Sequence, residues 1–265
     1  MKKKPTIEFY TYLAEAFDHF NKALFDNSLT PVIFVITRKK NVAGHFRRRG
    51  WLNEGEETFH EIAVNPQHFI SSSPLELCQT IVHEQSHQWQ VEYGTESRAG
   101  YHNTEWADKM RSIGLNPISK NGKGTGQSVG DEPIPGGLFE KAYIEFFLMG
   151  YKLAIVDGAY NTGKMLRQLN KVIEDRVRDI QISNMEYSDL SSLNLNEEET
   201  KIVTNSLSSP IIEFYHVEIP AAQAEKQSYE KKTTWQCSGC GIKAWGAPTI
   251  KISCIPCNIA MSVVP

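Results

Sequence analysis

The sequence predicts an α+β protein: a small β-sheet packed with a helix that carries two histidines four positions apart, followed by a separate four-cysteine module. Three observations predict it. Apolar residues recur at three- and four-residue steps over residues 6–25 and again after Ser73. Short β-branched or alternating runs lie between these stretches, and two CxxC pairs stand near the C-terminal end.

The first helix follows from Ile7, Phe9, Tyr10, Leu13, Ala14, Phe17, Phe20, Leu24 and Phe25, an apolar face of helical period. "TPVIFVIT", residues 30–37, is a β-branched run of strand length, and "FHEIAVNP", residues 59–66, alternates and then stops at Asn-Pro. "NVAGHFRRRGWLN" between them holds one more strand, with a turn at Gly50. The next helix opens with Ser73 as N-cap, Pro74 at the first helical position and Glu76 three residues after the cap; Gly94 is its stop. A shorter helix runs from Asn103 to Ile113 and ends at Gly114, with Pro117 just beyond. "SKNGKGTGQSVGDEPIPGG" then reads as a long loop, because Gly, Pro and polar residues are too dense for a regular element. Ordered sequence resumes at Leu138, with a further helix expected near residues 164–180. Residues 185–199 hold five acids and no Lys or Arg, the texture of a solvated linker. The expected division is 1–118, a mixed domain around the two histidines; 119–184, a Gly/Pro-rich loop and mixed extension; 185–230, an acidic linker; and 231–265, the cysteine module.

With 265 residues the chain is long enough for one well-cored domain and a small module. A net charge of −3 and 40% hydrophobic residues exclude a whole-chain field of the kind that marks nucleic-acid or membrane binders. The basic start MKKKPTIEF has no apolar core behind it, so the expectation is a cytoplasmic protein that is not secreted, associated with the nucleoid if bacterial.

Chemistry concentrates in "IVHEQSHQWQ", residues 81–90. On a helix His83 and His87 project from one face and can aim a ring nitrogen at one ion. Glu84 lies about 100° round, beside such an ion rather than on it, which is where a general base for a metal-activated water belongs. A catalytic zinc takes three protein ligands and leaves one position open. Gln90 and Tyr93 rule out the long HExxHxxGxxH form, leaving His102, after fourteen intervening residues, and Glu105, after seventeen, as candidates. Trp89, just past the second histidine, reads as a core residue rather than a substrate platform.

"IVHEQSHQWQ", followed by "GYHNTEWADKMRSIGLNP", resembles the SprT-like (Spartan-like) zinc metalloproteases, and "NVAGHFRRRGWLN…FHEIAVNPQHF" fits that family's strand pair upstream of the active-site helix. The resemblance covers about residues 6–118. It implies a zincin-like metalloprotease domain, His102 as third zinc ligand beside His83 and His87, Glu84 as catalytic residue, and a demoted Glu105. Tyr101 and Asn103 depart from the glycines that often flank the third histidine in the family.

"WQCSGCGIKAWGAPTIKISCIPCNIAM" places Cys237/Cys240 and Cys254/Cys257 as two CxxC turns thirteen residues apart. Four thiolates at this spacing suit a closed tetrahedral zinc, a structural zinc ribbon with no room for a water nucleophile. Two zinc ions are therefore expected, one catalytic and one structural. Between Lys226 and Lys251 five lysines meet one acid, a local charge of +4, with Trp235 and Trp245 among them. Lys231, Lys232, Lys243, Trp245 and Lys251 are candidate contacts to single-stranded or damaged DNA; equally, the tryptophans pack the ribbon and the lysines solvate it. The family commonly joins its protease domain to a zinc ribbon or another DNA-binding element, which favours nucleic acid.

Two further stretches carry weaker signals. "GAYNTGKM", residues 158–165, approaches a P-loop but has Met165 where the Mg²⁺-holding Ser or Thr belongs, so a glycine turn before a helix is the expectation. Arg47–Arg49 reads either as a solvated edge or as a phosphate contact near the groove. Two functions compete. One is a zinc endopeptidase acting on DNA-associated or DNA-crosslinked proteins, the substrate class coming from the resemblance alone. The other is a non-catalytic, nucleic-acid-associated zinc protein.

Overall fold

A computed structural model describes residues 4–39, 42–69, 71–153, 155, 157, 195–215 and 233–264. The expected helix near 164–180, the "GAYNTGKM" stretch, Lys226, Lys231 and Lys232 lie outside them. The chain divides into two compact units, Met1–Pro220 and Ala221–Pro265.

In the larger unit, helix α1 (Pro5–Leu24) starts on a proline and buries Phe9, Leu13, Phe17, Phe20 and Leu24 of the expected stripe together with Ala16, while Ile7, Tyr10 and Ala14 stay exposed. Strands β1 (Val32–Ile36), β2 (Gly44–Leu52) and β3 (Thr58–Val64) form a sheet in the order β1-β3-β2. The central strand β3 runs parallel to β1 and antiparallel to β2 and buries Ile62, Ala63 and Val64. β2 is an edge. Gly50 does not turn the chain as the sequence reading expects. Pairing passes from Arg47↔Glu61 to Trp51↔Phe59, so extra residues bulge out of β2, and Arg49 takes up the strain at φ 45°. The reversal comes at Asn53–Glu57, where Asn53 Oδ1 accepts from the backbone N–H groups of Gly55 and Glu57, both at 2.9 Å.

After the short turn α2 (Pro66–Phe69), helix α3 (Pro74–Tyr93) begins with a complete capping box. Glu76 N–H donates to Ser73 Oγ at 3.2 Å and Ser73 N–H to Glu76 Oε2 at 2.7 Å. Gly94 ends α3 as expected. Helix α4 (Thr104–Ser112) is capped by Asn103, whose Oδ1 accepts from Trp106 N–H at 2.9 Å. A cap at this place explains the departure at position 103, since asparagine satisfies a helix start that glycine leaves open.

Two further expectations are corrected. The stretch after Pro117 is not a loop throughout: β4 (Leu115–Ser119) and β5 (Val129–Pro133) pair antiparallel on either side of an irregular connection, with Pro117 opposite Asp131. A two-stranded ribbon has only edges, so it tolerates the prolines that mask it in sequence. The acidic stretch is helical where described: Asn196 makes a capping box with Glu199, and Glu197–Glu199 occupy the first turn of the helix Glu197–Ser208. Acids there complement the helix dipole rather than prevent order. Val203, Leu207 and Ile211 join the core built from α1, β3, α3, α4 and helix α5 (Leu138–Leu148). The compact unit therefore continues past residue 118.

The smaller unit is a β-module. Strands β6 (Thr233–Gln236), β7 (Lys243–Gly246) and β10 (Ser262–Val264) form a sheet in the order β10-β6-β7, beside the hairpin β8 (Ser253–Cys254) and β9 (Ile259–Ala260). Its core consists of Trp235, Cys237, Cys254 and Met261. Among the described residues no helix is long and apolar enough to cross a membrane.

Candidate metal centre

The capping box fixes where α3 starts, and with it which face meets the sheet. Gln79, His83 and His87 follow at four-residue intervals on one face, and His102 reaches them from the turn before α4. His102 is pinned by a two-way backbone bridge to Gly126, both bonds 2.9 Å. The three Nε2 atoms converge: His83 to His102 is 3.2 Å and His87 to His102 is 3.1 Å. Two nitrogens bound to one tetrahedral zinc at about 2.05 Å stand about 3.3 Å apart, so this spacing fits a shared ion.

The far side of each ring decides which nitrogen is free. His83 Nδ1 lies 2.8 Å from Asp131 Oδ1, and His102 Nδ1 lies 3.0 Å from the carbonyl of Gly126. Facing acceptors, both Nδ1 atoms carry hydrogen, and the Nε2 lone pairs are left for a metal. Burial holds His87 well below its ordinary pKa, reinforced by the neighbouring histidines, and lowers His102 to about 4, so both are neutral as ligands must be. Burial also pulls on His83, but the hydrogen bond and charge of Asp131 outweigh it and raise its pKa: this corner favours positive charge. The indole of Trp106 is fully buried, its centroid 4.9, 5.2 and 4.3 Å from the rings of His83, His87 and His102. It backs the cluster with an apolar wall.

Glu84 is 5% exposed and is not among the converging donors. Burial raises its pKa to about 7, opposed by the charge of His83 and a hydrogen bond from the backbone of Phe46 on β2. That contact depends on a close approach at Gly44, where a methyl would stand 2.9 Å from Thr80 Cγ2, 3.0 Å from the Ala63 carbonyl and 3.2 Å from Glu84 Oε1. Gly44→Ala is expected to push β2 off α3 and cost about 1–3 kcal/mol by overpacking. Gly130→Ala, where a methyl meets nothing within 4 Å, is the control. Equal thermal midpoints for the two variants would remove this account of Gly44.

The histidines and Glu84 open onto a cleft of about 1230 Å³, whose walls include Arg47, Arg48 and Arg98. Arg48 pairs with Glu96, and Arg98 lies over the ring of Tyr101 at 4.7 Å. Glu105 is not among the converging donors. It accepts from Thr95 N–H at 2.7 Å and Gln90 Nε2 at 3.2 Å, tying down the turn between α3 and α4. Trp89 packs against the core as expected.

In the smaller unit the four cysteine sulfurs lie within 4.8 Å of one another. Cys240 and Cys254 are 3.6 Å apart, close to the ~3.8 Å expected of two thiolates on a tetrahedral zinc. Backbone N–H groups of Cys240 and Gly239 aimed at Cys237 bring its pKa down to about 7. Trp235 is buried in the module, whereas Trp245 is 68% exposed and Lys243 and Lys251 are exposed. The tryptophans therefore divide: one packs, the other is presented.

Sequence reasoning missed Asp131, Gly126 and Gln79. Gln79 had a signal, since it stands four residues before His83 on the same face; the other two sit in the hairpin that reads as a loop. Both candidate sites are compatible with zinc. The model of the SprT-like family matches residues 13–123. No curated protein and no solved structure matches the chain.

Proposed function

From an SprT-like segment over residues 13–123, in a family generally of metalloprotease type, we propose that the chain is a zinc-dependent endopeptidase of zincin-like fold. His83, His87 and His102 are its zinc ligands, Glu84 its catalytic residue, and Cys237, Cys240, Cys254 and Cys257 a second, structural site. The observation that carries the reading is the convergence of three imidazole Nε2 atoms beside a buried carboxylate in an open cleft. A zinc ion so held supplies Lewis acidity toward a scissile carbonyl and lowers the pKa of water. Glu84, buried beside the three imidazoles, would accept the proton of the attacking water and return it to the leaving amine. Phe46 N–H holds that carboxylate in place.

DNA-associated or DNA-crosslinked proteins are the proposed substrates. Support comes from the exposed Trp245, with exposed Lys243 two residues before it on β7 and exposed Lys251 in the same unit, and from Arg47 and Arg48 in the cleft wall. The second reading, a nucleic-acid-associated zinc protein without turnover, rests on the same presented face of the cysteine module. Metal analysis tests the first requirement. Two zinc ions per chain are expected, one lost in His83→Ala and the other in Cys237→Ser, with cleavage of a DNA-binding protein in wild type, stimulated by single-stranded DNA. A single ion lost only on the cysteine change dismisses the protease reading. Two ions without cleavage across a broad substrate panel favours the second.

A further inference from the structure

We propose that Asp131 is a positioning residue for the histidine metal site, locked by Gln79, and that the β4–β5 hairpin completes the site that residues 13–123 begin. The inference rests on the zinc-site reading above. Asp131 Oδ1 takes the Nδ1–H of His83 at 2.8 Å, while Gln79 Nε2 donates to both Asp131 Oδ2 and the Asp131 carbonyl, each at 2.7 Å. Both carboxylate oxygens are thus engaged, and the side chain is only 7% exposed. One helical turn of α3 sets Gln79 over His83, so the helix clamps the residue that orients its own ligand. The same hairpin region supplies the Gly126 carbonyl, which accepts from both the backbone N–H and Nδ1 of His102. Two of the three imidazoles are therefore aimed by residues beyond position 123, and the ring of His87 lies flat against Trp106 instead, interplanar angle 22°.

A carboxylate behind a ligand histidine fixes its tautomer and makes the ring a stronger donor, and losing such a partner weakens metal affinity about 10–100-fold. A mere clamp between hairpin and helix would change stability without changing affinity, and this separates the two roles. The test is zinc affinity of the full chain by competition with a chelator, the cysteine site serving as internal reference. Asp131→Ala is expected to weaken the histidine site by about 10–100-fold and leave the cysteine site unchanged. Asp131→Asn is isosteric, keeps an acceptor for Nδ1–H and loses the charge. It guards against an unfolded alanine variant and is expected to bind zinc less tightly than wild type, but more tightly than alanine. Gln79→Ala frees the carboxylate and gives a smaller loss than Asp131→Ala. Wild-type affinity in both Asp131 variants overturns the proposal while leaving the protease reading standing. A wild-type chain that loads zinc at the cysteines alone overturns both.

Discussion

Replacing Glu84 by glutamine is expected to lower peptide cleavage by about 10²–10⁴ while both zinc ions remain bound, because a positioned general base contributes that much. The geometry of the cluster explains the split. Three histidine nitrogens converge without the glutamate, so the metal has no need of it. Phe46 N–H still finds an acceptor in the glutamine amide, so the fold is kept. Titration supplies a second readout, in protein prepared without metal. Burial raises the Glu84 pKa from 4.5 to about 7, so the folded chain binds more protons than the unfolded one between those values. Stability from this group accordingly falls as pH rises through that window. The penalty is absent below pH ~4.5 and fully present above pH ~7, where it amounts to about 3 kcal/mol. Glu84→Gln should therefore match wild type near pH 4.5 and melt higher at pH 8. Wild-type cleavage by the variant would assign proton transfer to another group, and a pH-independent difference in melting would contradict the buried, raised carboxyl.

The second large effect is expected at the other end of the chain. Cys237→Ser should abolish the fold of the ribbon and leave the larger unit intact. Of the four side chains in the ribbon core, two are the thiols of Cys237 and Cys254, leaving Trp235 and Met261 as ordinary apolar burial. Those two contribute about 3–6 kcal/mol, whereas a structural zinc supplies an apparent 10–16 kcal/mol in modules of this kind. Metal binding decides. Limited proteolysis should clip the variant within residues 233–264 while the melting of the larger unit is unchanged. A ribbon that stays protease-resistant without its zinc would mean the hairpins hold themselves.

Ser73, Pro74 and Glu76 announced the start of α3, and Gly94 its end, because caps are local chemistry written within one turn of chain. His83, Glu84 and His87 followed from helical spacing, and the cysteine cluster from CxxC spacing. The third member of the histidine cluster was less accessible. Spacing left both His102 and Glu105 in play, and resemblance favoured the histidine, which the geometry brings to the cluster while giving Glu105 to Thr95 and Gln90. The hairpin at 115–133 was hidden for a physical reason. Two edge strands need no apolar alternation and tolerate proline, so their sequence is that of a loop. The acidic run hid the Glu197–Ser208 helix because its charges act on the helix end rather than on solvent alone.

The sequence by itself determined the helix that carries the histidines, the glutamate beside them and the pairing of the four cysteines, since each depends on residues a few positions apart. Only the tertiary structure decided what stands behind the converging imidazoles. Asp131 lies 48 residues from His83, and Gly126 lies 24 from His102. Partners at that distance are set by strand pairing and by how the hairpin lies on α3, relations that no local period encodes.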